Sequence, residues 1–289
     1  MVTDSNFSYA ALASSDLHRL PREGDLAIAY QVAGAGRLVV CVPGMGDLRS
    51  TFRYTVPALV AAGYRVAWMD LRGHGDSDTG FSSYDDVALA SDIAALIAAL
   101  GGSAVVVGNS MGAGAAVIAA AERPEIVDGL VLVGPFVRNG ANGGSRTLAL
   151  MLRLLLLRPW GPTAWAGYFA SLSPQAKAAD WADHSAEIRQ SLALPGRWRA
   201  FQHTAVTTHA PAEAVVGAVT APTLVVMGAV DRDFPDPAAE AQWIADSTGG
   251  TVLMVPDAGH YPQSDRADLV SPAMITFLAG RVGTGSPRG

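Results

Sequence analysis

One cysteine, Cys41, stands in the 289-residue sequence, so no intramolecular disulfide can form and a reducing compartment is compatible with the chain. It lies in the apolar run Leu38-Val39-Val40-Cys41-Val42, where it reads as a small buried residue rather than a reactive thiol. Long hydrophobic runs are missing as well. The most apolar stretch, 148–157, carries Arg153 within it and falls far short of the roughly twenty residues that cross a bilayer. An apolar helix packed on the rest of the protein is expected there. The start, Met1-Val2-Thr3-Asp4-Ser5-Asn6, has neither the basic residues nor the apolar segment of a secretory signal, and a cytoplasmic location is the default expectation. Nor is there a cluster of Lys and Arg. With a formal net charge of −6 and a pI near 5.4, the chain has nothing to neutralise a phosphate backbone, which argues against a general nucleic-acid binder. No G-x-G-x-x-G follows the first strand and no Walker P-loop occurs, so a nucleotide cofactor is not indicated.

What is present is the material of a globular α/β protein, with 50% hydrophobic and 16% charged residues. Apolar runs of strand length at 25–32, 38–42, 64–69, 104–107, 126–133, 222–227 and 251–255 alternate with helical stretches at 51–62, 84–100, 113–121, 237–246 and 265–278. That alternation predicts a mostly parallel, doubly wound sheet flanked by helices. It stops between Gly134 and Ala221, where helical periodicity runs without a convincing strand and carries Phe136, Trp160, Trp165, Tyr168, Phe169, Trp181, Trp198 and Phe201. The segment 136–210 reads as a helical cap inserted into a core made of 1–135 and 211–280, and the Gly/Ser/Pro-rich tail 281–289 reads as disordered. Any one of these aromatics is expected to fill the cap's own core. The oligomeric state is not readable, although an exposed face on the 148–157 helix would suggest self-association.

Gly108-Asn109-Ser110-Met111-Gly112 sits where the β-branched run Ala104-Val105-Val106-Val107 turns into a helix of small residues. Strand, G-x-S-x-G, helix is a nucleophile elbow, in which small flanking residues let strand and helix approach while the serine projects into a cleft. A serine hydroxyl is a poor nucleophile at neutral pH and needs a base, and the base needs an acid to orient it. Of six histidines, His260 is the strongest candidate, because it lies in the loop after the last strand, where the carboxyl ends of parallel strands gather. His18 lies near the N-terminal edge, His74 in a turn, and His184, His203 and His209 in the cap, where structural roles are expected. For the acid, the loop Gly228-Ala229-Val230-Asp231-Arg232-Asp233-Phe234-Pro235-Asp236 offers Asp231, with Asp233 as its rival and Asp236 as a helix N-cap. The loop 134–139 contains no carboxylate.

Together these elements resemble the alpha/beta hydrolase superfamily, from about Asp25 to Leu278. The order Ser110, Asp231, His260 is that family's order of nucleophile, acid and histidine. Val42-Pro43-Gly44-Met45-Gly46 is similar to its oxyanion loop, with proline where histidine is common, and Asp70-Leu71-Arg72-Gly73-His74-Gly75-Asp76-Ser77-Asp78 to its loop after the next strand. The resemblance implies that the backbone N–H groups of Met45 and Met111 stabilise an oxyanion, at roughly 3 kcal/mol per donor. It also accounts for His74, Asp76 and Asp78, which could otherwise be read as a metal site. No metal and no cofactor are expected. The activity implied is a serine hydrolase cleaving a carboxylic ester or lactone with an apolar moiety, a small-molecule substrate. Two alternatives stand beside it. The elbow is also similar to that of meta-cleavage-product hydrolases, which split a carbon–carbon bond in a diketone acid; Arg138, Arg153, Arg189 and Arg197 are available to bind such a carboxylate. A non-catalytic ligand-binding protein on the same fold is the other. Haloalkane dehalogenase and epoxide hydrolase chemistry is disfavoured, because similar enzymes carry aspartate at the elbow.

Overall fold

Apolar strands with no polar face need cover on both sides, and the computed structural model, which describes residues 8–139 and 146–281, supplies it. After a short helix α1 (Tyr9–Ala13) come strands β1 (His18–Pro21), β2 (Ala27–Ala33) and β3 (Leu38–Val42), helix α2 (Thr55–Ala61) and strand β4 (Arg65–Met69). Then follow α3 (Asp86–Leu100), β5 (Ala104–Asn109), α4 (Met111–Glu122) and β6 (Val127–Val133). Helices α5 (Arg146–Leu155), α6 (Gly161–Ser171), α7 (Trp181–Ala193), α8 (Arg197–Thr204) and α9 (Ala210–Val215) intervene before β7 (Thr223–Gly228). The chain closes with α10 (Pro237–Thr248), β8 (Thr251–Val255), α11 (Pro262–Asp265) and α12 (Ala267–Arg281). The strands form one sheet in the order β1-β2-β4-β3-β5-β6-β7-β8. β2 pairs antiparallel with both β1 and β4, and the five remaining pairings are parallel.

Alternate residues of each central strand enter opposite cores, which is why these strands read as unbroken apolar runs. In β3, Leu38, Val40 and Val42 face α3, α4 and α10, whereas Val39 and Cys41 face α2 and α12. Cys41 is fully buried, and burial pushes its thiol well above the ordinary range, as expected of a core residue. Each fully buried aliphatic side chain here contributes about 1.5–3 kcal/mol.

Several expectations need correction. β1 is an edge strand that the sequence reading omits, and the strand expected from Asp25 begins at Ala27, after a turn closed by Arg22 N–H to Leu26 O. The helix expected over 51–62 is two pieces, a 3₁₀ turn at Arg49–Phe52 and α2. Pro57 is the cause, since it has no N–H to give Arg53 O and its ring would clash there; within the first turn of α2 it is tolerated. The last helix is likewise divided at Arg266. Most consequentially, the apolar helix around 148–157 is not packed away: Leu150, Met151, Leu154, Leu155 and Leu157 are exposed, and among residues 150–157 Leu156 alone is buried. Among the described residues no helix is long and apolar enough to cross a membrane. The tail 281–289 lies outside the described residues apart from Arg281, and so does Met1-Val2-Thr3-Asp4-Ser5-Asn6.

The segment between β6 and α9 has a core of its own, built from Leu156, Trp165, Phe169, Ile188, Trp198 and Phe201 and closed by Tyr261, with Met45 and Leu48 against it. Trp165, Phe169, Trp198 and Phe201 thus fill a core of the segment itself and lean on the loop after β3, whereas Trp160 and Tyr168 are exposed and Phe136 packs against the core beside α3 and α4.

Candidate active site

Ser110 joins β5 to α4 with φ 55 and ψ −121, one of two non-glycine residues with positive φ among those described. Such backbone costs about 1–3 kcal/mol and persists only where the surroundings enforce it. Here they do. A Cβ on Gly108 would lie 2.4 Å from Gly112 O, and one on Gly112 would lie 2.4 Å from Val42 O, so the turn admits nothing larger at either position. Ser110 N–H donates to Val133 O at 2.9 Å, and Ser110 O accepts from Ala113 N–H at 3.0 Å. The Ser110 side chain is nearly buried, and its hydroxyl makes no hydrogen bond among the described residues.

His260 lies beside this elbow. Asn109 Nδ2 donates to His260 O at 3.3 Å and to Val133 O at 3.0 Å, tying the residue before the serine to the histidine loop. The His260 N–H donates to Leu172 O at 2.8 Å, and the ring sits among Phe136, Phe234 and Tyr261. Its Nδ1 is 2.8 Å from Asp231 Oδ2 and 3.5 Å from Asp233 Oδ2. Of the two rival carboxylates, Asp231 therefore holds the imidazole by a hydrogen bond. Asp233 instead accepts from the Tyr168 hydroxyl through Oδ1 and donates its N–H to Asp231 Oδ1 at 3.0 Å. Asp236 is the N-cap of α10, accepting from Ala239 N–H at 3.0 Å, as expected. Burial disfavours the imidazolium, but the charges of Asp231 and Asp233 outweigh it and push His260 up to about 9.

The loop after β3 packs against the serine, and a Cβ on Gly44 would lie 2.7 Å from Ser110 Cβ. The Met45 N–H makes no hydrogen bond among the described residues. Met111 opens α4, so its N–H is one of the donors a helix start leaves without an intrahelical acceptor. The loop is braced by His74, whose Nε2 accepts from Gly46 N–H at 3.0 Å while Nδ1 donates to Arg72 O at 2.9 Å. Burial lowers His74 to about 4, so it is neutral at pH 7, as an acceptor ring must be. Asp76 pairs with Arg49 at 2.7 Å, and Asp78 accepts from Ala27 N–H at 2.8 Å and pairs with Arg19. The three residues weighed as a metal site thus serve three separate contacts. Among the described residues, the one cluster with ligand atoms close enough to share an ion is Asp231, Asp233 and His260. In it the imidazole N–H already lies between the two carboxylates. Replacing His74 by leucine is expected to lower the free energy of unfolding by about 1–3 kcal/mol, the cost of leaving the Gly46 N–H unpaired, measured by urea denaturation.

Other contacts tie the inserted helices to this region and have no signature in the sequence. His184 Nε2 is 2.8 Å from Asp47 Oδ1, next to the Gly44-Met45-Gly46 turn, and Arg53 pairs with Asp180 at 2.7 Å. Burial opposes the His184 imidazolium, but the Asp47 carboxylate raises it to about 9 and makes this an ion pair at pH 7. His209 pairs with Asp86 at 2.7 Å, and His203 stacks on Tyr84. Of the arginines weighed for a substrate carboxylate, Arg138 is held by Glu240 at 2.7 Å and lies over the Trp243 ring, and Arg197 donates to Ser77 O. Arg153 and Arg189 are exposed.

The family model described as "Alpha/beta hydrolase family" matches residues 39–273. The chain is 34% identical over 139 residues to the uncharacterized protein Rv2715 of Mycobacterium tuberculosis, a match of 48% of this chain to 38% of that one, so it spans about two fifths of that relative. Similarity runs the full length with the 2-hydroxy-6-oxo-6-phenylhexa-2,4-dienoate hydrolase of Comamonas testosteroni, 29% identical over 304 residues, 97% of this chain and 99% of that one. A solved structure of a thermophilic esterase from Thermogutta terrifontis has the same fold, with a TM-score of 0.75 at 24% identity over 93% of this chain and 100% of that one.

Proposed function

This chain belongs to the alpha/beta hydrolase family, and from that premise we propose that it is a cofactor-independent serine hydrolase acting on a carboxylic ester or lactone with an apolar moiety. The observation that carries the reading is the buried His260–Asp231 pair beside a serine held at positive φ. In this reading the neutral His260 takes the proton of Ser110 through Nε2, the ring nitrogen opposite the one Asp231 holds. The serine oxygen adds to the substrate carbonyl, and the Met45 and Met111 N–H groups meet the oxyanion that develops. The imidazolium then protonates the leaving group, and the acyl-enzyme is hydrolysed by water that His260 activates in turn. Residues 136–210 act as the cap over this site, and their tryptophan-rich core supports an apolar acyl or aromatic group in the substrate.

Full-length similarity to a diketone-acid hydrolase supports carbon–carbon bond hydrolysis as the second reading. It is the weaker of the two, because Arg138 and Arg197 already have protein partners and Arg153 and Arg189 lie on exposed surface. Rates on p-nitrophenyl esters, lactones and a vinylogous diketone acid separate them: esters or lactones are expected to turn over faster, and a preference for the diketone acid would reverse the ranking. The pH dependence follows from the base. His260 must be neutral to accept the serine proton and is raised to about 9, so kcat/KM is expected to rise with pH through neutrality, level off above about 9, and fall as acid protonates the ring. A flat profile between pH 6 and 9 would be inconsistent with His260 as the base.

A further inference from the structure

We propose that Tyr168 and Asp233 form a positioning pair through which the cap holds the His260 ring for Asp231. The inference rests on the serine-hydrolase reading. Two carboxylates flank the single Nδ1–H of His260, Asp231 at 2.8 Å and Asp233 at 3.5 Å, and one N–H serves one acceptor well. Both aspartates are well buried beside the ring, so the second is not a remote surface charge. What keeps Asp233 from competing is visible on its other oxygen, which accepts the Tyr168 hydroxyl from α6. Its backbone in turn donates to Asp231 Oδ1, fixing the oxygen of the acid that does not face the histidine. The same helix end supplies Leu172 O to the backbone N–H of His260, so α6 and the residue after it hold the acid loop through Tyr168 and the histidine loop through Leu172.

The charged and titratable groups facing His260 are few. Asp231 and Asp233 come from the loop after β7, Asp47 acts at longer range from the loop after β3, and Ser110 lies at the elbow. Tyr261 meets the ring edge-on, and His209 stands behind Phe136. Tyr168 is the group among these that comes from α6, and it acts on the ring through Asp233. Tyr168 is 43% exposed, but its hydroxyl faces Asp233, and partial desolvation together with that carboxylate charge raises the phenol, which therefore stays protonated and remains a donor. Tyr168→Phe removes this donor, frees Asp233 to approach Nδ1–H, and strengthens the hold of negative charge on the imidazolium. Asp233→Asn removes that charge.

The test is the acidic limb of the kcat/KM–pH profile on a p-nitrophenyl ester, together with NMR titration of the His260 ring in a Ser110→Ala background. Asp233→Asn is expected to move both about one pH unit lower, and Tyr168→Phe to move both higher by up to about one unit. The double variant is expected to match Asp233→Asn alone, since the tyrosine has nothing left to act through. A Tyr168→Phe shift that persists in the Asp233→Asn background, or an imidazole titration unmoved by either change, overturns the proposal. If a fluorophosphonate fails to label Ser110 in the wild-type protein, the hydrolase reading fails, while the ring titration still decides whether the pair holds His260.

Discussion

Ser110→Ala is expected to lower kcat on a p-nitrophenyl ester by on the order of 10⁶-fold and to leave the fold intact. The first half follows from chemistry, since without the hydroxyl there is no acyl-enzyme and the remaining oxyanion donors give only residual catalysis. The second half follows from what holds the elbow. The contacts of Ser110 run through its backbone, with N–H to Val133 O and O from Ala113 N–H, whereas the side-chain oxygen has no partner among the described residues. Alanine keeps the same Cβ at the same positive φ, so the strain is unchanged. Thermal unfolding within about 0.5 kcal/mol of wild type, together with loss of fluorophosphonate labelling, is the expected pair of results. Turnover retained in a folded variant would remove Ser110 from the mechanism.

Asp231→Asn is expected to cost about 10⁴-fold in kcat, because an amide at Oδ2 can present N–H to Nδ1 and turn the imidazole to the wrong tautomer. Asp233→Asn, two residues along the same loop, is expected to cost no more than about tenfold at the pH plateau, since removing a flanking charge shifts a titration without breaking the hydrogen bond. The comparison tests the 2.8 Å and 3.5 Å distances from Nδ1 directly. Plateau rates for both variants, with circular dichroism to confirm folding, decide it. A larger loss at Asp233 would exchange the two assignments.

Why one aspartate is bonded and the other is not could not be read along the chain. Asp231 and Asp233 share a loop, and nothing within it distinguishes them except distance from the strand end. The difference is made by Tyr168, 65 residues away, which occupies Asp233. The same holds for His74. Its place in a glycine-rich turn is legible, but that its ring accepts from Gly46 N–H depends on how the loops after β3 and β4 meet. β1 has no signature along the chain, because four residues at a sheet edge carry too little alternation. The division of the 51–62 helix, by contrast, was within reach, since Pro57 sits four residues after the carbonyl it would have to spare.

What the sequence by itself determined are the features whose physical demand is met within a few residues. The alternation of apolar runs and helices, the glycines at 108 and 112 that allow the turn, and the N-cap at Asp236 all belong here, because each answers to local sterics or local hydrogen bonding. What only the tertiary structure decided are the pairings between distant segments. His184 meets Asp47 across 137 residues, Tyr168 takes Asp233 off the histidine, and Leu150, Leu154 and Leu155 of α5 face outward. Such contacts arise from how helices lie over the ends of the strands, and side-chain packing rather than local backbone preference sets that arrangement.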